Sequence, residues 1–100
     1  MKLGIDLVHI PRIETLLRDA AHVAAVFSPE EMAADVHTMA GRFAAKEAYF
    51  KASGAKGDWR SVQVLRRETG EPYLVCPDGA RARLSISHDG DYAIAVVLIE

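Results

Sequence analysis

Between Lys2 and Val8, apolar and polar positions alternate: Leu3, Ile5 and Leu7 fall on one face, Gly4 and Asp6 on the other. A period of two predicts a strand. After Pro11, which suits the first turn of a helix, Ile10, Ile13, Leu16, Leu17, Ala20, Ala21 and Ala24 recur at helical spacing and predict a helix over about 11–25. Ser28-Pro29-Glu30-Glu31 predicts a short second helix: Ser28 is its N-cap, Pro29 sits at N1 and Glu31 closes a capping box. A third helix is predicted over roughly 36–53, stopped by Gly54. The period then changes. Val62–Arg66 and Tyr73–Cys76 read as strands separated by the turn Thr69-Gly70-Glu71-Pro72, and the second stops at Pro77-Asp78-Gly79. Arg83–Ser87 reads as a strand with Leu84 and Ile86 inward. His88-Asp89-Gly90-Asp91 reads as a hairpin turn, and the apolar run Tyr92–Ile99 as a strand covered on both faces. The order β-α-α-α-β-β-β-β predicts a single α+β domain over residues 1–100, with a mainly antiparallel sheet wrapped on the long helix.

The third helix carries the most informative residue. At about 100° per residue, Val36, Met39, Ala40, Phe43 and Phe50 form one stripe, and Glu47 falls within it. The opposite side, with Thr38, Gly41, Ala45, Tyr49 and Ala52, is also small or apolar. A helix that is apolar nearly all round is buried, and a carboxylate there is costly unless paired or bound to a metal. Asp6 is the second misplaced carboxylate, because Asp is disfavoured within strands. Alone it reads as a solvated side chain or as a cap for the helix at Pro11. Two such carboxylates on packed elements suit Mg²⁺, which takes one or two carboxylates and completes its shell with substrate phosphates. Lys51 lies four residues beyond Glu47, the spacing of an ordinary helical ion pair. Arg42 and Lys46 share that spacing at the edge of the stripe. They read as a basic rim for anionic phosphate, or as side chains that snorkel to solvent.

Composition narrows the classes. One hundred residues, half of them hydrophobic, fit one domain with a core. The formal net charge of −2 lacks the basic excess of a nucleic-acid binder. The single cysteine, Cys76, excludes a disulfide framework or a cysteine-based zinc site. No secretory signal is visible and no run approaches a membrane span, so the expected location is the cytoplasm. Ser85, Ser87, His88, Asp89 and Asp91 include the residue types of a hydrolytic triad, but they are nearly contiguous, and triads converge from separated positions. His88 instead suits a hydrogen bond to a phosphate or ribose, or a plain turn. His9, His22 and His37 lack metal-ligand spacing. Gly54-Ala55-Lys56-Gly57 is too short for a P-loop and reads as a turn whose backbone N–H groups can meet phosphate. Arg12 and Arg18 lie on the exposed side of the first helix, as a docking patch for an acidic partner or as solvating charges.

Four segments carry a family resemblance. These are Gly4-Ile5-Asp6-Leu7-Val8-His9-Ile10-Pro11-Arg12-Ile13, Phe27-Ser28-Pro29-Glu30-Glu31, Gly41-Arg42-Phe43-Ala44-Ala45-Lys46-Glu47-Ala48-Tyr49-Phe50-Lys51-Ala52, and Ser85-Ile86-Ser87-His88 followed by Asp91-Tyr92-Ala93. In this order they resemble the motifs of the holo-acyl-carrier-protein synthases, of the 4′-phosphopantetheinyl transferase superfamily. The third is the most specific. The resemblance implies that coenzyme A donates its phosphopantetheine arm to a serine of an apo acyl carrier protein, releasing adenosine 3′,5′-bisphosphate. It implies that Asp6 and Glu47 bind Mg²⁺ (or Mn²⁺), and that Lys51 stabilises the leaving phosphate. It further implies that Arg42, Lys46, Ser87 and His88 surround the nucleotide and that Arg12 meets the carrier; Gly54, in the turn after the helix, and Arg18, near Arg12 on the first helix, join these two candidate sets from the residue reading. Glu47 is also the candidate acceptor of the serine proton, directly or through a metal-bound water.

The chain departs from the family in places. Val8 stands where larger relatives carry a third acidic ligand, and His9 where many relatives have an acid. The loop after the central helix is cut to Ser53–Asp58, and the segment between Cys76 and Ser85 is short. Small members form homotrimers with sites between subunits, and such loops contribute, so shortened loops weigh against the trimer. Two other classes stand beside the transferase: a catalytically silent relative that binds carrier protein or nucleotide, and a structural domain with Glu47–Lys51 as a buried ion pair.

Overall fold

In the computed structural model, which describes residues 1–100 except the Asp78 side chain, the chain folds around one long helix. In chain order the elements are β1 (Lys2–His9), α1 (Ile10–Leu16), α2 (Ala20–Val26), α3 (Val36–Ser53), β2 (Gln63–Arg66), β3 (Pro72–Val75), β4 (Ala82–Asp89) and β5 (Tyr92–Ile99). Single 3₁₀ turns lie at Pro29–Glu31, Trp59–Ser61 and Pro77–Gly79. The α3 helix has the predicted bounds. Asp35 caps its first turn, accepting from the His37 N–H at 3.2 Å and the Thr38 hydroxyl at 3.0 Å. Gly54, with φ 70°, ends it in the left-handed conformation, where a side chain is disfavoured.

Every strand pair is antiparallel, but there are two sheets. One has the order β1-β5-β4, and the other is the β2-β3 hairpin. The core lies between α3 and the inner face of the larger sheet. It joins Ala40, Ala44, Ala45 and Ala48 of the helix to Val8, Ala93, Ala95 and Val97 of the strands. Small residues on both sides let helix and sheet approach closely. At Gly4 the approach is closest: an added Cβ would stand 2.0 Å from the Ala48 carbonyl oxygen.

Several expectations are corrected. The predicted helix over 11–25 is two helices. Asp19 interrupts it by accepting from the Ala21 and His22 N–H groups at 3.0 and 3.3 Å, which starts α2. Ala20, Ala21 and Ala24 are exposed, and Val23 and Val26 face the core instead. The Ser28–Glu31 segment does form the predicted short helix, with its capping box, but as a single 3₁₀ turn rather than an α-helix. His88 and Asp89 extend β4, so the hairpin loop shrinks to Gly90-Asp91. Strand β5 is not covered on both faces: Ala93, Ala95 and Val97 are buried, whereas Ile94, Val96 and Leu98 are half-buried. In β1 the buried face is Gly4, Asp6 and Val8, and the apolar face is open, with Leu3, Ile5 and Leu7 at 68%, 53% and 60% exposure.

Candidate active site

Strand β1 turns its polar face inward because α3 lies against Gly4, and this carries Asp6 to the helix. Asp6 is 6% exposed. Its Oδ1 accepts from the Lys51 ammonium at 3.1 Å, and the same ammonium also donates to the Ile5 carbonyl at 3.2 Å. Glu47, one turn before Lys51 on α3, is half-buried beside Asp6. Burial, then a hydrogen bond shared with Asp6 and the Asp6 charge, raise the Glu47 pKa from 4.5 to about 7, while Arg12 and Lys51 pull it down. With both carboxylates ionised, Asp6 Oδ2 is a buried oxygen without a donor. A proton on Glu47 or a cation would supply one.

The residues fit a divalent metal. Among the described residues no three His, Cys, Asp or Glu side chains are grouped to hold one alone. Two carboxylates, one with an orphaned buried oxygen, match an ion that completes its shell with water and phosphate oxygens. Arg12 belongs to this neighbourhood. Its guanidinium lies 5.8 Å from the centre of the Phe43 ring, and its charge acts on Glu47. Arg12 and Arg18 together line an open groove of about 760 Å³ along α1 and the start of α2. Arg18 is exposed, and its guanidinium lies 3.8 Å from the Glu14 carboxylate.

A second recess, of about 160 Å³, lies at the N-terminal half of α3. Arg42, Arg66 and His88 line it, over a floor that includes Gly41 and Ile86. Gly41 keeps this floor open, since a Cβ there would meet Ile86 Cγ2 at 2.9 Å and His88 Nε2 at 3.1 Å. The His88 ring is held by a 2.8 Å hydrogen bond between Nε2 and the His37 carbonyl. Arg42 donates through Nη1 to the Glu31 carbonyl. Burial and the facing Arg66 charge lower the Arg42 pKa, and Glu31 raises it.

The structure therefore brings Asp6, Glu47, Lys51 and Arg12 to one place, and Arg42 and His88 to another. Lys46 is not on a basic rim. It is fully buried, paired with Glu31 Oε1 at 2.8 Å, and donates to the carbonyls of Trp59, at 2.8 Å, and Val62. It turns inward because carbonyls of the 59–62 segment and a buried carboxylate await it there. Burial lowers its pKa and Glu31 raises it. Gly54 is placed as the helix cap, with open space around it. Ser87 points to the outer face of the sheet, in a cleft with Leu7, Tyr92 and Ile94. Two residues escape the sequence reasoning. Arg66 looks like one more strand residue. Glu31 reads as a local cap, and nothing in a linear pattern reveals that its second oxygen reaches the Val64 N–H at 2.9 Å.

Comparison with known proteins matches this architecture. The family model described as 4′-phosphopantetheinyl transferase superfamily matches residues 2–97. A holo-[acyl-carrier-protein] synthase of Shouchella clausii is 38% identical over 98% of this chain and 96% of its own. One of Chlorobaculum tepidum is 40% identical over 100% and 98%. Among solved structures, the Helicobacter pylori holo-[acyl-carrier-protein] synthase in complex with coenzyme A superposes with a TM-score of 0.89 at 28% identity, covering 98% of this chain and 99% of that one. The Bacillus anthracis synthase in complex with coenzyme A (3′,5′-ADP) gives 0.83 at 30%, covering 98% and 94%.

Proposed function

The chain belongs to the 4′-phosphopantetheinyl transferase superfamily, and on that footing we propose that it acts as a Mg²⁺-dependent holo-acyl-carrier-protein synthase. The transferase activity follows from full-length similarity to synthases of that name. The assignment of residues rests on one observation: two carboxylates on packed elements, Asp6 and Glu47, with Asp6 holding Lys51 by one oxygen and leaving the other buried without a partner.

In this reading the serine Oγ of an apo acyl carrier protein forms a bond to the phosphorus bearing the pantetheine arm. The phosphoanhydride bond breaks, and adenosine 3′,5′-bisphosphate leaves. Asp6 and Glu47 hold Mg²⁺, which supplies positive charge to the pyrophosphate when bound. Lys51, anchored to Asp6 yet 58% exposed, offers its ammonium to the charge growing on the leaving group. Glu47, beside Asp6 at the same place, accepts the serine proton. Arg42 and His88 bind the nucleotide end of coenzyme A in the second recess. Arg12 and Arg18 receive the acidic carrier along the α1 groove.

We place the working unit as a homotrimer, despite the short loops. The open face of Leu3, Ile5 and Leu7 continues into half-buried Leu98, Val96 and Ile94, their register partners on β5. A monomer rarely leaves so continuous an apolar face to water. Ser87 lies on that same face, away from the Asp6 cluster, so it can serve a site only where a second copy approaches. Ile5→Asp should convert the trimer to monomer by light scattering and remove most transfer activity. An unchanged mass would exclude this face as the interface. Among the described residues no helix is long and apolar enough to cross a membrane, and a cytoplasmic location suits the reaction's soluble substrates.

The deciding experiment is intact mass spectrometry of an apo acyl carrier protein incubated with the protein, coenzyme A and Mg²⁺, with and without EDTA. The expected result is a gain of one phosphopantetheine, lost with EDTA. Bound coenzyme A without transfer to several carriers would indicate a silent binding relative.

A further inference from the structure

Glu31 and Lys46 are both fully exposed to nothing but protein, and the reaction as described uses neither. A buried ion pair is a weak source of stability in itself, because desolvating two charges offsets their attraction. Its partners show what this one holds. Glu31 Oε1 accepts from the Ser28 N–H at 2.9 Å and from Lys46 at 2.8 Å, and Oε2 accepts from the Val64 N–H at 2.9 Å. Lys46 in turn grips the carbonyls of Trp59 and Val62. One carboxylate and one ammonium thus tie the 28–31 turn and the entry to β2 onto α3.

One tied segment lines the nucleotide recess and the other reaches it through Arg42. Val64, Leu65 and Arg66 of β2 form one wall. The 28–31 turn supplies the Glu31 carbonyl that accepts from Arg42. Arg42 needs that acceptor, because it faces the like charge of Arg66 across the recess, and like charges this close repel. We infer that Glu31 is a positioning residue for coenzyme A binding. Its carboxylate fixes the turn whose carbonyl aims Arg42 into the recess, while the Lys46 link sets the distance of β2 from α3. This inference rests on the proposed synthase activity. It adds a residue that touches neither metal nor substrate.

Glu31→Gln keeps the shape but turns one end of the group into an NH₂ facing N–H donors, so at least one of the three contacts is lost. The expected result is a KM for coenzyme A raised about tenfold, equivalent to one lost charge-assisted hydrogen bond, with kcat within about threefold of wild type. A residue that only stabilises the fold would lower the melting temperature without moving KM in assays well below it. The sharper readout is a double-mutant cycle with Arg42→Ala on the KM for coenzyme A. If Glu31 acts through Arg42, the double variant is no weaker than Arg42→Ala alone. Additive effects would overturn the inference. Should Glu31→Gln not fold, the same cycle is run with Glu31→Gln and Lys46→Met together, which removes both buried charges at once. Wild-type protein that neither binds coenzyme A nor transfers would overturn the synthase reading and this inference with it. Active wild type with an additive cycle overturns the inference alone.

Discussion

Gly4→Ala unfolds the protein or leaves it barely stable. The new methyl would lie 2.0 Å from the Ala48 carbonyl oxygen and 2.9 Å from the Ala52 nitrogen, both backbone atoms of the central helix. No rotamer relieves this, because a Cβ has none. Strand β1 and α3 must move apart, and the contact they lose is the centre of the core. Overpacking typically costs about 1–3 kcal/mol and more where backbone must shift, so a cost above roughly 3 kcal/mol is expected. That is a large part of the ~5–15 kcal/mol of an ordinary domain. In a domain of this size it lowers the melting temperature by some 12 °C or more, at about 4–8 °C per kcal/mol. Any folded fraction should also be inactive, since the same movement takes Asp6 away from Glu47 and Lys51. Gly70→Ala is the control. It has φ 92° but open space around it, so it suffers only the backbone penalty of about 1–2 kcal/mol. Thermal melts that rank the two variants equally would show that close approach at Gly4 does not limit the fold.

Asp6→Asn should leave the fold intact and lower kcat/KM for transfer by roughly 10³-fold, the scale of losing a preorganised charge at a reacting phosphoryl group. The amide keeps the shape but gives up the negative charge that Lys51 meets and that the proposed metal would share. A drop below tenfold at saturating Mg²⁺ would remove Asp6 from the metal site. The same substitution changes the proton chemistry in metal-free protein. Glu47 holds its proton more tightly folded than unfolded, with a pKa raised from 4.5 to about 7. Its contribution to stability is therefore full below pH 4.5 and is lost as pH rises towards 7. Asp6→Asn abolishes the charge of Asp6, the neighbour responsible for the second and third causes of that shift, but not burial, the first. Glu47 should then titrate between 4.5 and 7, and the loss of stability with pH should become shallower. Melts in EDTA across that range, with carboxyl titration by NMR, measure both effects.

Much of this arrangement was legible in the chain, and the failures share a cause. The bounds of α3 came through because its stop, Gly54, is a local signal. Asp6 and Glu47 stood out because carboxylates in apolar elements violate local expectation, and the structure does bring them together, with Lys51 beside them. Alternation in β1 revealed two faces but not which one turns inward. The inward face is the one with a glycine and an aspartate, because only a glycine lets α3 come so close and the aspartate meets Lys51 there. Lys46 and Arg42 look alike at helical spacing. Only the placement of Glu31 and of the 59–62 carbonyls, far along the sequence, decides that one is sealed in and the other lines a recess. The break between α1 and α2 was visible in principle, since Asp19 is a good N-cap residue, but helical periodicity carries across it.

The turn that delivers the Trp59 carbonyl to Lys46 also seats the chain's single indole against Phe43 and Phe50, with ring centres 5.2 and 5.4 Å away. The protein thus carries its own optical gauge. Excited at wavelengths that spare the three tyrosines, its emission comes from this one indole, lodged beside the helix that bears Glu47, and should shift to the red if the 59–61 turn lifts into water. Whether that segment stays seated during a turnover is open to stopped-flow observation without a label.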